Sequence, residues 1–163
     1  MQYTLSILVE NQAGVLSKIS GLFSRRGFNI DSLAVGVTND PSVSRITIVA
    51  NGDEYVVEQL EKQLNKVIPV IKVKRLNEGE FISRELILIK VHCAASKRAE
   101  IIKTAEIMQA KIVDAAPRCV PVEYCETSAR VKTLIDMLRP YGIREIVRTG
   151  TIAIDRGNAA VSV

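Results

Sequence analysis

One succession of hydrophobic periods occurs twice along this chain, and that repetition limits the fold more than any other feature. Near the start, Tyr3, Leu5, Ile7 and Val9 alternate with Thr4, Ser6 and Glu10, the two-residue beat of a half-buried strand. Val15, Leu16, Ile19, Leu22 and Phe23 then repeat at helical spacing, and Ser24-Arg25-Arg26-Gly27 supplies a helix stop. Residues Asn29 to Val37 read as a second strand and Asn39-Asp40-Pro41-Ser42 as a turn. A third strand follows from Val43 to Ala50. Asp53 can cap a helix carrying Val56, Val57, Leu60 and Leu64, and Pro69 precedes a strand from Val70 to Arg75. The order is βαββαβ.

Leu76-Asn77-Glu78-Gly79-Glu80 is polar and glycine-bearing, the best boundary in the sequence. Beyond it the order returns. Leu86 to Cys93 reads as extended; Ser96 can cap a helix carrying Ile101, Ile102, Ala105 and Met108. Ile112 to Ala116 and Val120 to Cys125 are short extended pieces parted by Pro117. Thr127 or Ser128 opens a helix with Val131, Leu134, Ile135 and Leu138, stopped by Pro140 and Gly142, before a strand from Ile143 to Thr149. A solenoid needs about three or more stacked units. Two copies instead predict an α+β chain of two ferredoxin-like βαββαβ domains, residues 1–76 and 77–163, each an antiparallel sheet with two helices on one face.

A sheet of this topology runs in the order 4-1-3-2, so the second strand lies at an edge. Asp31-Ser32-Leu33-Ala34-Val35-Gly36-Val37 carries no Lys, Arg or Pro to discourage pairing. Two chains are expected to join there as a homodimer, unless a loop or the second domain covers the edge.

The turn Asn11-Gln12-Ala13-Gly14 joins the first strand to the first helix. Gly14 permits backbone conformations that a Cβ obstructs, and the helix behind it offers unpaired N–H groups and a partial positive charge. A carboxylate is a natural guest. Taken alone, a plain βα turn with Asn11 as a local cap accounts for the segment equally well. Asn11 offers both an amide donor and a carbonyl acceptor, so it can address the ammonium and carboxylate of a free amino acid together. Asn29, opening the edge strand, can do the same from across a dimer seam.

Other chemistries find little support. With 163 residues, 47% hydrophobic and 25% charged, the composition is that of an ordinary globular protein. No secretory signal and no apolar run long enough for a bilayer is present, so a cytoplasmic location with no membrane association is expected. Cys93, Cys119 and Cys125 match neither a disulfide framework nor a paired metal-ligand set, and are expected to be reduced and part-buried. No nucleophile with a base, paired carboxylates or metal cluster stands out, so no catalytic residue and no metal ligand is assigned. His92, the one histidine, reads as a structural imidazole, and Glu78, Glu80, Asp114, Glu123 and Glu126 as solvated groups. Nucleic-acid readers of this topology stack bases on central-strand aromatics. Aromatics make up 4% of this chain, only Tyr3 lies in the first copy's central strands, and the net charge of +4 is scattered. What survives is a small-molecule sensor.

Asn11-Gln12-Ala13-Gly14-Val15-Leu16-Ser17, Gly21-Leu22-Phe23-Ser24-Arg25-Arg26-Gly27-Phe28-Asn29-Ile30, Asp40-Pro41 with Ser44-Arg45, and Glu58-Gln59-Leu60-Glu61-Lys62-Gln63-Leu64 closely resemble the small regulatory subunits of acetolactate synthase (acetohydroxyacid synthase). The likeness continues through Arg84-Glu85-Leu86 and Lys90-Val91, by order of elements more than by motif. It implies an N-terminal ACT domain and a C-terminal ACT-like domain, with valine, or leucine or isoleucine, bound where two ACT domains meet. It implies as partner a large catalytic subunit that binds thiamine diphosphate, magnesium and FAD, is activated by the small subunit, and becomes sensitive to feedback inhibition. This chain would hold no cofactor. By motif, Asn11, Gly14 and Asn29 would contact the effector, and Ala13, Val15, Leu16, Ile30 and Val35 would support the pocket. Gly36 stands where many relatives carry a somewhat larger small residue, a departure that bears on pocket size and effector preference. The alternative is a free-standing amino-acid-binding module that regulates another partner.

Overall fold

The computed structural model describes residues 1–163. In chain order the elements are β1 (Gln2–Glu10), α1 (Val15–Arg25), β2 (Ile30–Val37), β3 (Val43–Asn51), α2 (Glu54–Leu64), β4 (Val70–Leu76) and β5 (Phe81–His92), followed by α3 (Arg98–Met108), β6 (Lys111–Ile112), β7 (Cys119–Glu126), α4 (Ser128–Leu138), β8 (Ile143–Arg148) and β9 (Ile152–Asp155). They build two ferredoxin-like βαββαβ units. The first comprises Met1–Ile82 together with Thr151–Val163, and the second Ser83–Gly150.

In the first unit the antiparallel sheet runs β2-β3-β1-β4, with β2 at the expected edge. The two-residue side-chain period sends Leu5, Ile7 and Val9 to one face, and pairing Leu5 with Ile48 and Ile7 with Ile46 puts β3's apolar set on the same side. That face meets Ile19, Leu22 and Phe23 of α1 and Leu60 and Leu64 of α2, forming one buried core. Asp53 caps α2 by accepting from the Tyr55 N–H at 3.3 Å. Gly52 lies against the ring of Phe28, where an added Cβ would collide with it. Phe28 in turn meets Phe23 edge-on, with ring centroids 6.2 Å apart.

The second unit repeats the arrangement as β6-β7-β5-β8. Ile87, Ile89 and Val91 of β5 and Val120, Val122 and Tyr124 of β7 pack on Ile101 and Met108 of α3 and on Val131, Leu134 and Leu138 of α4. Thr127 caps α4 by accepting from Arg130 N.

Four details differ from the sequence expectation. Ser96 does not cap α3; it sits inside a 3-10 turn, Ala95–Lys97, that precedes the helix. The strand expected from Ile112 to Ala116 is only Lys111–Ile112, because the chain turns back around Pro117, and a single bridge joins Ala116 to Cys119. Cys93 is buried and Cys119 partly so, but Cys125 is exposed; all three are free thiols. Residues 151–163, expected within a second domain of 77–163, instead belong to the first unit and include the strand β9. Polar bonds such as Arg45 to the Ala153 carbonyl and Lys74 to Asp155 tie these residues to the first sheet, and β9 also pairs with β5; a hydrophobic-period reading detects neither.

Phe23 is fully buried at the centre of the first core. Phe23→Ala should therefore cost about 3–5 kcal/mol, by lost transfer energy plus an unfilled cavity. Urea denaturation followed by circular dichroism measures it, and a loss below about 1 kcal/mol, the scale of an ordinary surface change, would contradict the packing described.

Candidate functional site

β1 ends at Glu10 because the chain must turn to bring α1 back over the sheet, and two backbone bonds hold the turn. Glu10 N–H donates to the Pro69 carbonyl at 2.8 Å, and Asn11 N–H to the Ser42 carbonyl at 2.7 Å. The Asn11 side chain adds a third bond, Nδ2 to the Pro41 carbonyl at 3.0 Å. An amide nitrogen carries two hydrogens, so one donor and the Oδ1 acceptor of Asn11 remain for a ligand. Asn11, Gln12, Ala13 and Gly14 are all exposed.

Gly14 is the N-cap of α1, with φ 83° and ψ −8°, and no side chain caps the helix. This left-handed backbone is what glycine provides at little cost. The first bond within the helix runs from Lys18 N–H to the Gly14 carbonyl at 3.2 Å, so the amides of Val15, Leu16 and Ser17 precede the ladder. No acidic residue lies in that first turn to repel an anion. A Cβ built on Gly14 meets nothing within 4 Å, so the space over the helix end is open. Around it Val15 points into the core, 5% exposed, whereas Leu16 is 41% exposed and presents an apolar surface beside the turn.

The edge strand contributes differently from each of its ends. Val35 pairs with Ile46 and Gly36 with Arg45, so alternation sends them to opposite faces; Val35 is half exposed on the helix-facing side, and Gly36 can offer only backbone. Ile30 is half-buried and packs against the first core. Asn29 is exposed, and its Nδ2 donates to Asp31 Oδ1 at 3.0 Å, while Asn51 donates to the other oxygen of that carboxylate.

Within one chain these residues do not converge. Glu10 and Val37 flank the Val43–Ser44 end of β3, whereas Ile30 pairs with Ala50 at the other. At about 3.3 Å per residue, Asn29 lies on the order of 20 Å along the sheet from the Asn11 turn. The structure therefore gathers Asn11, Ala13, Gly14 and Leu16 at one end, with Val35 and Gly36 nearer to it, and leaves Asn29 and Ile30 at the opposite end.

The carbonyl acceptors at Pro41 and Ser42 escaped the sequence reading, which saw only a turn by composition. Asp40 organises them: Ser42 donates to its Oδ1 from N–H at 2.9 Å and from Oγ at 2.7 Å. The Ser42 side-chain bond, followed by the backbone bond, holds the Asp40 carboxyl below its ordinary pKa. The Asp-Pro-Ser order carried this signal, since an Asp side chain closes a turn on the residue two positions on.

His92 lies at the end of β5, with its Nδ1 3.4 Å from Arg144 Nη2. A guanidinium has no lone pair to take a proton, so this neighbour does not make a catalytic relay. Tyr3 is likewise engaged, its ring beneath the Arg75 guanidinium at 5.6 Å, instead of displayed for stacking.

Two family models match the chain, "AHAS small subunit-like ACT domain" over residues 5–72 and "Small subunit of acetolactate synthase" over 84–157. A probable acetolactate synthase small subunit from Archaeoglobus fulgidus is 48% identical over 97% of this chain and 99% of its own length. The chain belongs to the acetolactate synthase small-subunit family. A second member, from Mycolicibacterium smegmatis, is 46% identical over 95% of this chain and 91% of its own. The crystal structure of the acetolactate synthase small subunit from Thermotoga maritima superposes with a TM-score of 0.90 at 36% identity, covering 98% of this chain and 99% of that one. In this family member the ACT model spans most of β1 to β4 and so contains the Asn11–Gly14 turn and the edge strand, while the second model runs on through β9. No helix is long and apolar enough to cross a membrane.

A carboxylate whose folded pKa is depressed contributes stability above its ordinary pKa and loses it as pH falls through the lowered value. Asp40 should accordingly titrate below 3.8 in a carboxyl NMR experiment, and the amides of Asn11 and Ser42 should shift in the same acid range. An Asp40 midpoint at or above 3.8 would contradict its role in the turn.

Proposed function

We propose that this chain is the regulatory subunit of an acetolactate synthase, activating a large catalytic subunit and making it subject to feedback inhibition by a branched-chain amino acid, valine first. The effector's carboxylate sits over the amides at the start of α1, beside Gly14, and Asn11 addresses its polar head. Leu16 and Val35, both exposed, suit the branched aliphatic tail. Each helix-end contact with an anion contributes about 0.3–1 kcal/mol, and up to about 2 when partly buried, so several contacts must converge.

One observation carries this reading: the Asn11 turn and Asn29 lie at opposite ends of the same sheet, while β2 occupies its edge. Antiparallel pairing of two β2 strands about a two-fold axis brings the Asn29 end of one protomer beside the Asn11 turn of the other. Occupancy is then coupled to the arrangement of the two chains. The catalytic subunit supplies the chemistry with thiamine diphosphate, magnesium and FAD; none of the residues described here takes part in the bond-forming steps.

Gly14→Asp should abolish valine inhibition of the assembled enzyme while activation persists, because Asp tolerates the left-handed backbone and sets a carboxylate where the ligand's belongs. Unchanged inhibition rejects that placement. Asn29→Ala should weaken valine binding roughly ten-fold or more, the scale of a lost hydrogen bond to a charged group. Mixing the two variants provides a sharper test. A site built across the seam leaves one intact site per mixed dimer, and calorimetry should recover binding of wild-type affinity; a site contained in one protomer leaves none.

A further inference from the structure

The C-terminal residues 151–163 cross back onto the first unit and are held to its sheet by polar bonds. Thr151 N–H donates to Ser32 Oγ at 2.6 Å, the Arg45 guanidinium to the Ala153 carbonyl at 2.6 Å, and Lys72 Nζ to the Ser162 carbonyl at 3.0 Å. Lys74 Nζ pairs with Asp155 Oδ1 at 2.8 Å, and Arg156 N–H donates to the Glu80 carbonyl at 2.8 Å. Ser32, Arg45, Lys72 and Lys74 share the sheet face opposite the helices, as their partners Val49, Gly36, Leu8 and Ser6 show in the register.

Two features limit how tightly the segment is held to this face. Its charge-assisted bonds to the sheet are those of Arg45, Lys72 and Lys74, beside the pairing of β9 with β5, and the segment itself adds little apolar burial: Ile152 and Ile154 are each 57% exposed, and only Ala153 among β9's apolar residues is buried. Ser6 Oγ, on a residue paired with Lys74, and Asp155 Oδ2, in the segment itself, are buried without a hydrogen-bond partner. A partly satisfied buried polar network opposes its own closure. Burial also lowers the Arg45 pKa, an effect that Asp155 counters.

Two of the anchors, Ser32 and Arg45, lie on the hairpin whose turn Asn11 grips. Asn11 is bonded to Pro41 and Ser42, three residues before Arg45, and Ser32 lies on the paired strand β2. Resting on the effector reading above, we infer that residues 151–163 form a strap whose docking on β2 and β3 tightens when the Asn11 turn is occupied, and which passes that state along the chain. A ligand that takes the second Nδ2 hydrogen of Asn11 fixes the same rotamer that bonds Pro41, and so fixes the β2–β3 hairpin that carries Ser32 and Arg45. Gly150, the last residue of the second unit, immediately precedes Thr151 in the chain.

Amide hydrogen exchange of the full-length chain, with and without saturating valine, tests this. Protection is expected at residues 11–17 and also at Thr151 and Arg156, where exchange should slow on the order of five-fold, the lower range of allosteric couplings. Protection at the turn without any change at Thr151 and Arg156 overturns the strap and leaves the effector site standing. No change at either place rejects both. Coupling is reciprocal, so Arg45→Met, which removes the bond to Ala153, should weaken valine binding by a similar factor. Wild-type affinity in that variant, with its circular dichroism unchanged, also overturns the strap.

Discussion

The pairing of β1 with β3 is the constraint on which the rest of this molecule depends. With Leu5 opposite Ile48 and Ile7 opposite Ile46, two strands present their apolar sets to the same pair of helices. A slip of one residue would send every one of those side chains to the other face. That register also places Asn11 beside Ser42, leaves β2 at the rim, and turns Ser6, Arg45 and Thr47 toward the side away from the helices. The core, the Asn11 turn and the surface that receives residues 151–163 are thus three consequences of one alignment.

The same alignment fits the regulatory reading proposed above. The turn exposes backbone amides and one asparagine, groups that recognise an anionic head but do not move protons at neutral pH. Some charged side chains elsewhere in the unit are tied into structural pairs, such as Arg75 with Glu54 and Lys74 with Asp155. In that reading, weak contacts that converge only across a shared sheet edge would suit a metabolite whose level must be read and released, and would give each binding event an effect on a second chain.

Much of the fold was legible because strands and helices announce themselves by period. Leu5 and Ile46 alternate with polar neighbours, Ile19, Leu22 and Phe23 recur at helical spacing, and Asp53 and Thr127 cap the helices they precede. Ser96 failed as a cap because a 3-10 turn takes up the residues before α3. At the turn, the change of period at a glycine marks Asn11 and Gly14, and Leu16 lies beside them. Asn29 sits far from them in the same chain, and Val35 and Gly36 face apart, facts that depend on strand direction and pairing and not on local composition.

From its sequence alone the chain determined two βαββαβ units, the exposed second strand and the glycine-softened entrance to the first helix, because each follows from side-chain period and backbone freedom over a few residues. Only the tertiary structure decided that the Asp40–Ser42 turn grips Asn11, that Asn29 lies at the opposite end of the sheet from that turn, and that residues 151–163 return to the first unit. Those are encounters between segments separated by tens of residues or more, held by single hydrogen bonds and ion pairs that leave no periodic trace in the sequence.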